Sequence, residues 1–303
     1  MIRPVPAAVL ALLLALVTTC VTACSADDDE PRAAPAHTTG SPTTAPTAYD
    51  RYVALGDSYT AAPLVPPTDT STRCLRSGAN YPALVAKAMP GTVLTDVSCS
   101  GADTRNMTRP QTGRTGSVPP QFDALRRGTD LVTIGLGGND DNLFGTLLGD
   151  CTRLASSDPD GAPCRTAAQQ QPDRLPSTLR HIRHHLAGVV DGVRKRSPRA
   201  RILVVGYPQI VPASGTCDLL PLAAGDYAFA RDVNAGLVRA VRSGAADASA
   251  EYVDLWAPSR GHDICSADPW INGRVTSADR ALAYHPLAAE QRAVADLVLA
   301  ELR

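Results

Sequence analysis

The sequence has few aromatic residues and almost no net charge. Phenylalanine, tyrosine and tryptophan make up only 4% of the 303 residues, so no platform for stacking bases or sugar rings is evident. The formal net charge is −1, whereas a nucleic-acid partner would require a basic face. We therefore expect no nucleic-acid partner. With 44% hydrophobic residues, the chain can build one large domain or two small ones.

The apolar run near the N-terminus is too short to span a membrane comfortably. It reads AAVLALLLALV at 7–17 and follows Arg3, which predicts a secretory signal peptide over residues 1–24. The signal ends in VTAC, which is similar to the bacterial lipobox, whose cysteine becomes the lipidated first residue of the mature protein. We therefore expect lipidation at Cys24. Cys20 is a weaker candidate, and plain secretion with cleavage nearby is the alternative.

Residues 25–49 lack any apolar periodicity and are rich in proline, threonine, alanine and aspartate. Such a segment cannot bury enough surface to offset its ordering entropy, so we predict a disordered tether. A tether after a lipidated cysteine would hold the protein at the outer face of the cell membrane. No internal repeat or second linker follows, and we predict one domain over residues 50–303, acting as a monomer.

No pair of cysteines has the CxxC spacing, so a zinc site is not expected. Beyond the signal peptide the chain has six cysteines, an even number that predicts three disulfides in a secreted domain, with fifteen possible connectivities. Sequential pairing closes the smallest loops, and we predict it. The predicted pairs are Cys74–Cys99, Cys151–Cys164 and Cys217–Cys265.

Short runs rich in valine, isoleucine and leucine alternate with helical patterns along the domain. The predicted strands are 52–55, 92–97, 131–136, 201–206 and 252–255. Apolar residues recur at three- and four-residue steps over 175–196, 227–241 and 287–302, which predicts helices. Near-continuous apolar strands separated by helices are typical of a parallel sheet covered on both faces. The sequence therefore predicts an α/β protein with a three-layer α/β/α sandwich.

Polar, glycine-containing segments follow three consecutive predicted strands. Gly56-Asp57-Ser58 follows the first, SCSGADT (98–104) the second, and GGND (137–140) the third. Because the carboxyl ends of parallel strands meet at one edge of the sheet, these segments are expected to lie together and to form a site.

With a late histidine, His285, these segments resemble the four sequence blocks of the SGNH hydrolases, also called the GDSL esterase/lipase family. The resemblance extends over nearly the whole mature domain. It implies a flavodoxin-like α/β/α fold and a serine ester hydrolase with Ser58 as nucleophile and His285 as base. It further implies an oxyanion hole formed by Ser58, Gly101 and Asn139, and no metal or organic cofactor. The segment 261–274 resembles the secreted, disulfide-bearing, actinobacterial-type branch of the family.

The residue chemistry agrees with these roles. A serine hydroxyl needs a base to take its proton, and His285, which precedes Pro286 at the predicted start of the last helix, is held where a base could be presented. His262, next to Asp263, is expected to support the site or the local structure and is the weaker candidate for the base. His181, His184 and His185 lie on the polar side of a predicted helix. His181 and His185 have the spacing of a metal pair, but no companion carboxylate motif supports a metal.

Two positions depart from the family pattern. Leu282 stands where many members have an aspartate that orients the histidine, so we expect the Leu282 carbonyl to take this role in a Ser58–His285 dyad. Three aspartates remain alternatives, namely Asp263, Asp268 and Asp279. Ala62 replaces a frequent glycine, which puts the local loop shape in question. Asp57 is expected to brace the serine turn.

The natural ester is left open by the sequence. Fatty-acyl and lipid esters are favoured, partly because a membrane tether would place the site near lipid. Two alternatives remain: a carbohydrate O-acetyl esterase, which the family also contains, and a non-catalytic surface-binding lipoprotein. The presence of all four blocks argues against the second.

Overall fold

The computed structural model describes residues 49–113 and 116–303. The predicted signal peptide, nearly all of the predicted tether and the lipidation site at Cys24 lie outside these residues and stay predictions. In the described part of the chain, no helix combines the length and apolar character needed to cross a bilayer.

Within the described residues, seven strands form one large sheet and one small one. They are β1 (Arg51–Gly56), β2 (Val93–Asp96), β3 (Gln111–Gly113), β4 (Gly116–Val118), β5 (Leu131–Gly135), β6 (Arg201–Val205) and β7 (Glu251–Val253). The large sheet is entirely parallel and has the order β2-β1-β5-β6-β7, whereas β3 and β4 form an antiparallel pair. The five strands of the large sheet are the five predicted from the sequence, so the predicted parallel sheet is confirmed.

The strand order reverses its direction at β1. Tyr52 of β1 lies opposite Leu94 of β2 on one side and opposite Leu131 of β5 on the other. The chain therefore places β2 on one side of β1 and later adds β5, β6 and β7 on the other side. In open α/β sheets, ligands bind at the carboxyl ends of the strands beside such a reversal. Here that position is the end of β1, where Ser58 follows.

Helices cover both faces of the sheet. They are α1 (Ser58–Ala61), α2 (Tyr81–Ala88), α3 (Cys151–Ala155), α4 (Pro163–Gln169), α5 (Arg174–Arg196), α6 (Tyr227–Asp247) and α7 (Ala288–Leu302). The long helices α5, α6 and α7 match the predicted ones, and α6 extends beyond its predicted end. Helix α2 and the short helices were not predicted, nor was the π-helix over Gly145–Asp150.

Alternate residues of the central strands face opposite layers. Val53 and Leu55 belong to the core cluster that includes Ile182 of α5 and Leu237 of α6. Tyr52 and Ala54 belong to a second cluster, with residues of α2 and α7. Because successive side chains of a strand point to opposite faces, this division builds two buried layers on one sheet. The predicted three-layer sandwich is confirmed.

The structure contains all three predicted disulfides. They join Cys74 to Cys99, Cys151 to Cys164 and Cys217 to Cys265. The first joins the segment after α1 to the segment after β2, so it connects two of the three strand exits singled out in the sequence. The second joins α3 to α4, two of the short helices that follow the third strand exit.

Candidate active site

Ser58 is the first residue of the short helix α1, directly after β1. Asp57 precedes it in an extended conformation and accepts a hydrogen bond from the N–H of Tyr59 through its Oδ1 atom (2.8 Å). Gly56 packs so closely on Thr60 that any side chain at 56 would collide with it. Ala62 ends α1 with φ of 52°, a left-handed conformation that favours glycine, although the residue here is alanine. The turn therefore fixes the position of Ser58.

Asp57 is completely buried and links the ends of three strands. Its Oδ2 atom accepts a hydrogen bond from the hydroxyl of Tyr207, which follows β6. The same hydroxyl accepts a hydrogen bond from the N–H of Gly138, after β5 (2.9 Å). Burial raises the pKa of Asp57 to about 7, while the hydrogen bonds from Tyr207 and Tyr59 oppose the rise. The expectation that Asp57 braces the serine turn agrees with this network, which extends to the Gly138–Asn139 peptide.

Two further residues that the sequence predicts for an oxyanion hole follow the ends of β2 and β5. Gly101 has φ of 78°, a left-handed conformation that favours glycine, in the segment after β2. Asn139 donates one amide hydrogen to the carbonyl oxygen of Ala102 (2.9 Å), which leaves its second amide hydrogen for another acceptor. This contact places the segments of Gly101 and Asn139 side by side, as an oxyanion hole would require.

Asp140 reinforces the same junction. Its two carboxylate oxygens accept hydrogen bonds from the N–H (2.9 Å) and the hydroxyl (2.6 Å) of Thr104. Its Oδ2 atom also lies 3.4 Å from Nδ1 of His185, and the neighbouring Asp141 contacts Nδ1 of His181 at 2.9 Å. Burial raises the pKa of Asp140, and its bonds to Thr104 oppose the rise.

Two of the three helical histidines contact acidic side chains that follow Asn139. His181 and His185 each face one carboxylate of the segment after Asn139, and their side chains are about half exposed. In the described residues, no group of three or more histidine, cysteine, aspartate or glutamate side chains is arranged to hold a metal ion.

His285 is anchored by a main-chain carbonyl, but not by the one predicted. Its Nδ1 atom lies 2.7 Å from the carbonyl oxygen of Ala283. The prediction of Leu282 is wrong because the Leu282 oxygen accepts the backbone N–H of His285 (3.2 Å) and the amide of Asn272 (3.1 Å) instead. Tyr284 has φ of 61°, and this left-handed residue turns the chain so that the Ala283 oxygen faces the imidazole.

The three candidate aspartates are bonded elsewhere. Asp263 accepts the N–H of Cys265 (2.9 Å), and Asp279 accepts the hydroxyl of Ser277. The carboxylate of Asp268 lies 3.5 Å from His262. His262 itself stacks on Trp270, with 4.5 Å between ring centroids. His262 therefore belongs to the packing of its own loop, as expected.

The histidine loop docks directly on the serine helix. The hydroxyl of Tyr59 donates to the carbonyl oxygen of Tyr284 (3.0 Å), and the ring of Tyr59 lies 5.9 Å from the imidazole of His285. Phe144 stacks on Tyr59 at 5.3 Å, and Tyr207 packs against both rings. The sequence did not indicate Phe144 and Tyr207, because single aromatic residues outside a motif carry no periodic signal.

Burial also sets the protonation of the imidazole. It lowers the pKa of His285 below its ordinary value, and the hydrogen bond to Ala283 only partly opposes this shift. The imidazole is therefore neutral at pH 7, as a proton acceptor must be. The structure thus places the histidine loop against the serine helix, with Gly101 after β2 and Asn139 after β5, the two strands on either side of β1.

Comparisons with known proteins point to one family. The model of the GDSL-like Lipase/Acylhydrolase family matches residues 54–293. Lipase 2 of Streptomyces coelicolor is 41% identical over 254 residues, which cover 81% of this chain and 83% of that protein. A lipase of Streptomyces rimosus is 34% identical over 247 residues, covering 78% of this chain and 81% of that protein.

Solved structures give the same result. The crystal structure of phospholipase A1 from Streptomyces albidoflavus NA297 superimposes with a TM-score of 0.67 at 29% identity, covering 84% of this chain and 99% of that one. The extracellular lipase of Streptomyces rimosus gives 0.65 at 27% identity, covering 83% and 98%. The fold and these relatives define a carboxylic ester hydrolase of the α/β/α class. The chain belongs to the GDSL-like lipase/acylhydrolase family.

Proposed function

We propose that the protein is a secreted lipase or esterase that cleaves acyl-lipid esters with a Ser58–His285 dyad. The observation that carries the mechanism is the contact between His285 and Ala283. A carbonyl oxygen can only accept a hydrogen bond, so Nδ1 carries the hydrogen and Nε2 is left free to take a proton. The carbonyl thus fixes the tautomer that a general base needs.

The reaction then follows in two halves. Nε2 of His285 takes the proton of Ser58 as Oγ attacks the ester carbonyl, and a tetrahedral intermediate with a negatively charged oxygen forms. His285 returns the proton to the leaving alcohol, which leaves Ser58 acylated. In the second half, water attacks the acyl-enzyme with the same histidine as base, and the acid is released with Ser58 restored.

Three hydrogen-bond donors stabilise the negative charge on the tetrahedral intermediate. These are the backbone N–H groups of Ser58 and Gly101 and the side-chain amide of Asn139. Removing one such donor typically lowers kcat by about 10²–10³-fold. The network that joins Asp57, Tyr207 and Gly138 holds these donors in place before substrate arrives. Apart from the ester and the attacking water, these steps use side-chain and main-chain groups of the chain.

Acyl-lipid esters are the substrate class that the comparisons favour. Two relatives that are 41% and 34% identical are named lipases, and a phospholipase A1 superimposes over most of the chain.

A substrate panel tests this proposal. Wild-type protein and Ser58→Ala are assayed on p-nitrophenyl esters of increasing chain length and on a phospholipid, and both are treated with a fluorophosphonate probe. We expect hydrolysis and labelling by the wild type alone, with activity beyond acetate. Activity restricted to acetate would instead indicate an O-acetyl esterase. A wild type that neither hydrolyses esters nor reacts with the probe would contradict the enzymatic proposal altogether.

Extracellular action is part of the proposal. Three disulfides form and persist in an oxidising compartment, and the superimposed Streptomyces rimosus enzyme is described as extracellular. Attachment to the membrane through Cys24 is a further prediction. Mass spectrometry of the mature N-terminus distinguishes a diacylglycerol-modified Cys24 from an unmodified secreted form, which would refute the anchor.

A further inference from the structure

The loop that carries Gly101 is a tight turn over residues 99–102. It is closed by a hydrogen bond from the N–H of Ala102 to the carbonyl oxygen of Cys99 (3.0 Å). Gly101, its third residue, has φ of 78°, whereas the φ of Ser100 is not positive. This combination is that of a type II turn, which needs a positive φ at its third residue. The central peptide of the turn therefore joins the Ser100 carbonyl to the Gly101 N–H.

The direction of this central peptide decides which group the turn presents to an oxyanion. Type I and type II turns differ mainly in that their central peptides point in opposite directions. Reversal of the peptide would therefore put the Ser100 carbonyl oxygen where the Gly101 N–H stands. A hydrogen-bond donor to the negatively charged oxygen would be replaced by an acceptor, which repels it.

Gln111, the first residue of β3, holds this peptide in the direction that the oxyanion requires. The residue is buried, and its Nε2 atom donates a hydrogen bond to the carbonyl oxygen of Ser100 (2.8 Å). A hydrogen bond to a peptide oxygen fixes the plane of the peptide and also polarises the N–H on its opposite side. The antiparallel pair of β3 and β4 thus carries a glutamine onto the loop of Gly101.

The orientation of the Gln111 amide follows from the same contact. A carbonyl oxygen can only accept a hydrogen bond, so the NH₂ group must face Ser100. The Oε1 atom consequently points away, and it is buried without a hydrogen-bond partner among the described residues. Such groups are rare in native proteins because they lower stability. The bond to Ser100 is therefore kept at a cost to the folded state.

Other contacts hold the start of the turn beside the serine. The N–H of Cys99 bonds the carbonyl oxygen of Gly56, directly before the serine turn (3.0 Å). The N–H (3.2 Å) and the hydroxyl (2.7 Å) of Ser100 both bond the carbonyl oxygen of Cys74. Among the described residues, the oxygen of the central peptide is bonded by Gln111 alone. The glutamine is therefore the contact that opposes reversal of the peptide.

We propose that Gln111 is a positioning residue of the oxyanion hole, which keeps the Gly101 N–H directed at the oxyanion. The inference rests on the proposed function, because it takes Gly101 as one of the three donors. Gln111 touches neither the ester nor the reacting atoms in this arrangement. Its loss should leave binding of the ester unchanged and slow the step in which the oxyanion forms, so kcat and kcat/KM should fall together.

Gln111→Met tests the proposal, because it removes the donor and keeps the length of the side chain. We expect kcat on p-nitrophenyl acetate to fall about tenfold or more at an unchanged KM. The loss should be smaller than that of Asn139→Ala, for which removal of a donor predicts about 10²–10³-fold. The Gly101 donor is retained in Gln111→Met, but its direction is no longer fixed.

Ser197→Ala is the matched control. Ser197 is buried before β6, and its hydroxyl bonds the carbonyl oxygen of Arg126 (2.9 Å). The variant therefore also loses a hydrogen bond from a buried side chain to the main chain, but at the end of the sheet opposite to the candidate site. We expect it to keep kcat. Urea unfolding of both variants shows whether a loss of activity merely follows a loss of stability.

Gln111→Glu is a second variant with nearly the shape of glutamine. Its carboxylate cannot donate to the Ser100 oxygen and adds a negative charge near the oxyanion, so we expect a larger loss of kcat than in Gln111→Met. If both variants keep kcat within about threefold of the wild type, or raise KM without lowering kcat, the proposal is overturned. Either variant decides the question if the other does not fold.

A trifluoromethyl ketone inhibitor separates this inference from the proposed function. The Oγ atom of Ser58 adds to the ketone carbon, His285 takes the proton, and the ketone oxygen becomes an oxyanion with no leaving group. The inhibition constant should rise in Gln111→Met by about the factor by which kcat/KM falls. Strong inhibition of the wild type and of Gln111→Met alike would refute the inference and leave the proposed function standing. A wild type that neither hydrolyses esters nor binds the ketone would refute both.

Discussion

The imidazole of His285 is held by a dipole and not by a charge. A carboxylate partner would stabilise the imidazolium that forms during catalysis, and losing such a partner typically costs about 10⁴-fold in kcat. The Ala283 carbonyl supplies orientation with a smaller electrostatic contribution. The sequence predicts a main-chain partner for His285, because Leu282 replaces the aspartate. The particular carbonyl that bonds the imidazole depends on the φ angle of Tyr284, which no sequence pattern specifies.

The three candidate aspartates should not be required for catalysis. Because none of them bonds His285, we expect Asp263→Asn, Asp268→Asn and Asp279→Asn each to keep kcat within about threefold, against a loss of about 10⁴-fold where an orienting acid is removed. Steady-state kinetics on one p-nitrophenyl ester measure this, with His285→Ala as the inactive control. A loss near 10⁴-fold in any of the three would replace the dyad with a triad.

The pH dependence of the reaction follows from the same residue. His285 must be neutral to act as base, and burial lowers its pKa below the ordinary value of about 6.5. The active, neutral form is therefore kept down to a lower pH than for an exposed histidine. We predict that the acid limb of kcat/KM has its midpoint below about 6.5. A midpoint above that value would mean that a negative charge stabilises the imidazolium.

At the scale of secondary-structure elements, the site depends on how three strand ends are tied together. Strands β1 and β5 leave the sheet beside each other, and the N–H of Asp57 bonds the carbonyl oxygen of Gly135 (2.9 Å). Tyr207, after β6, completes the junction through its hydroxyl. The strands were predictable because buried parallel strands are almost continuously apolar. The contacts of Tyr207 could not be predicted, because they join it to Gly138 and Asp57, which lie about seventy and 150 positions away in the sequence.

Tyr207→Phe tests this junction. The change leaves the Gly138 N–H and one Asp57 oxygen buried without their partner, so we expect the free energy of unfolding to fall by about 1–3 kcal/mol. We also expect kcat to fall by about 10- to 100-fold, because the Gly138–Asn139 peptide would be held less firmly. This loss is at most comparable to the loss on removal of an oxyanion donor. Urea unfolding and ester hydrolysis measure the two effects.

Tyr252→Phe is the matched control. The Tyr252 hydroxyl is buried on β7 and takes no part in the network of Asp57, Tyr207 and Gly138. Its removal should leave kcat unchanged and change stability less than removal of the Tyr207 hydroxyl. Equal behaviour of the two variants would show that the Tyr207 hydroxyl contributes nothing specific to the site.

The segment between β5 and α5 explains most of what the sequence did not predict. Residues 143–169 contain a π-helix, two short helices and two of the disulfide cysteines. Elements this short do not complete enough turns for apolar periodicity to be recognised. The segment is placed by tertiary contacts with α5 and α6 and by its disulfide. The catalytic blocks, by contrast, follow long regular strands, and they could be located from sequence.

At the scale of the whole molecule, the C-terminal helix brings a carboxyl group into the interior. Glu290, in the first turn of α7, is 1% exposed and accepts a hydrogen bond from the side chain of Gln291 (2.6 Å). Gln291 in turn bonds the carbonyl oxygen of Tyr59 (3.0 Å) and the N–H of Tyr81 (2.7 Å). Helix α7 is thereby fastened to α1 and α2, next to the serine turn.

Burial raises the pKa of Glu290 to about 8, and the nearby negative charge of Asp57 adds to the rise. The unfolded chain releases this proton near pH 4.5, whereas the folded protein keeps it until about pH 8. The folded state therefore binds more protons in this window, and stability falls as the pH rises through it. The contribution is fully present only below the unfolded pKa. Asp57, with a raised pKa of about 7, acts in the same direction.

Glu290→Gln removes one of these two titrations while keeping the shape of the side chain. We expect the unfolding free energy of the variant minus that of the wild type to increase by a few kcal/mol between about pH 5 and about pH 8, and to stay constant above pH 8. Each unit of pKa shift contributes about 1.36 kcal/mol to this increase. Urea denaturation across this range measures the difference. Glu301→Gln, exposed on the same helix, should show no such trend. A stability difference that is constant with pH would mean that Glu290 ionises in the folded protein as readily as in the unfolded chain, and that the interior beneath the serine turn accepts a negative charge.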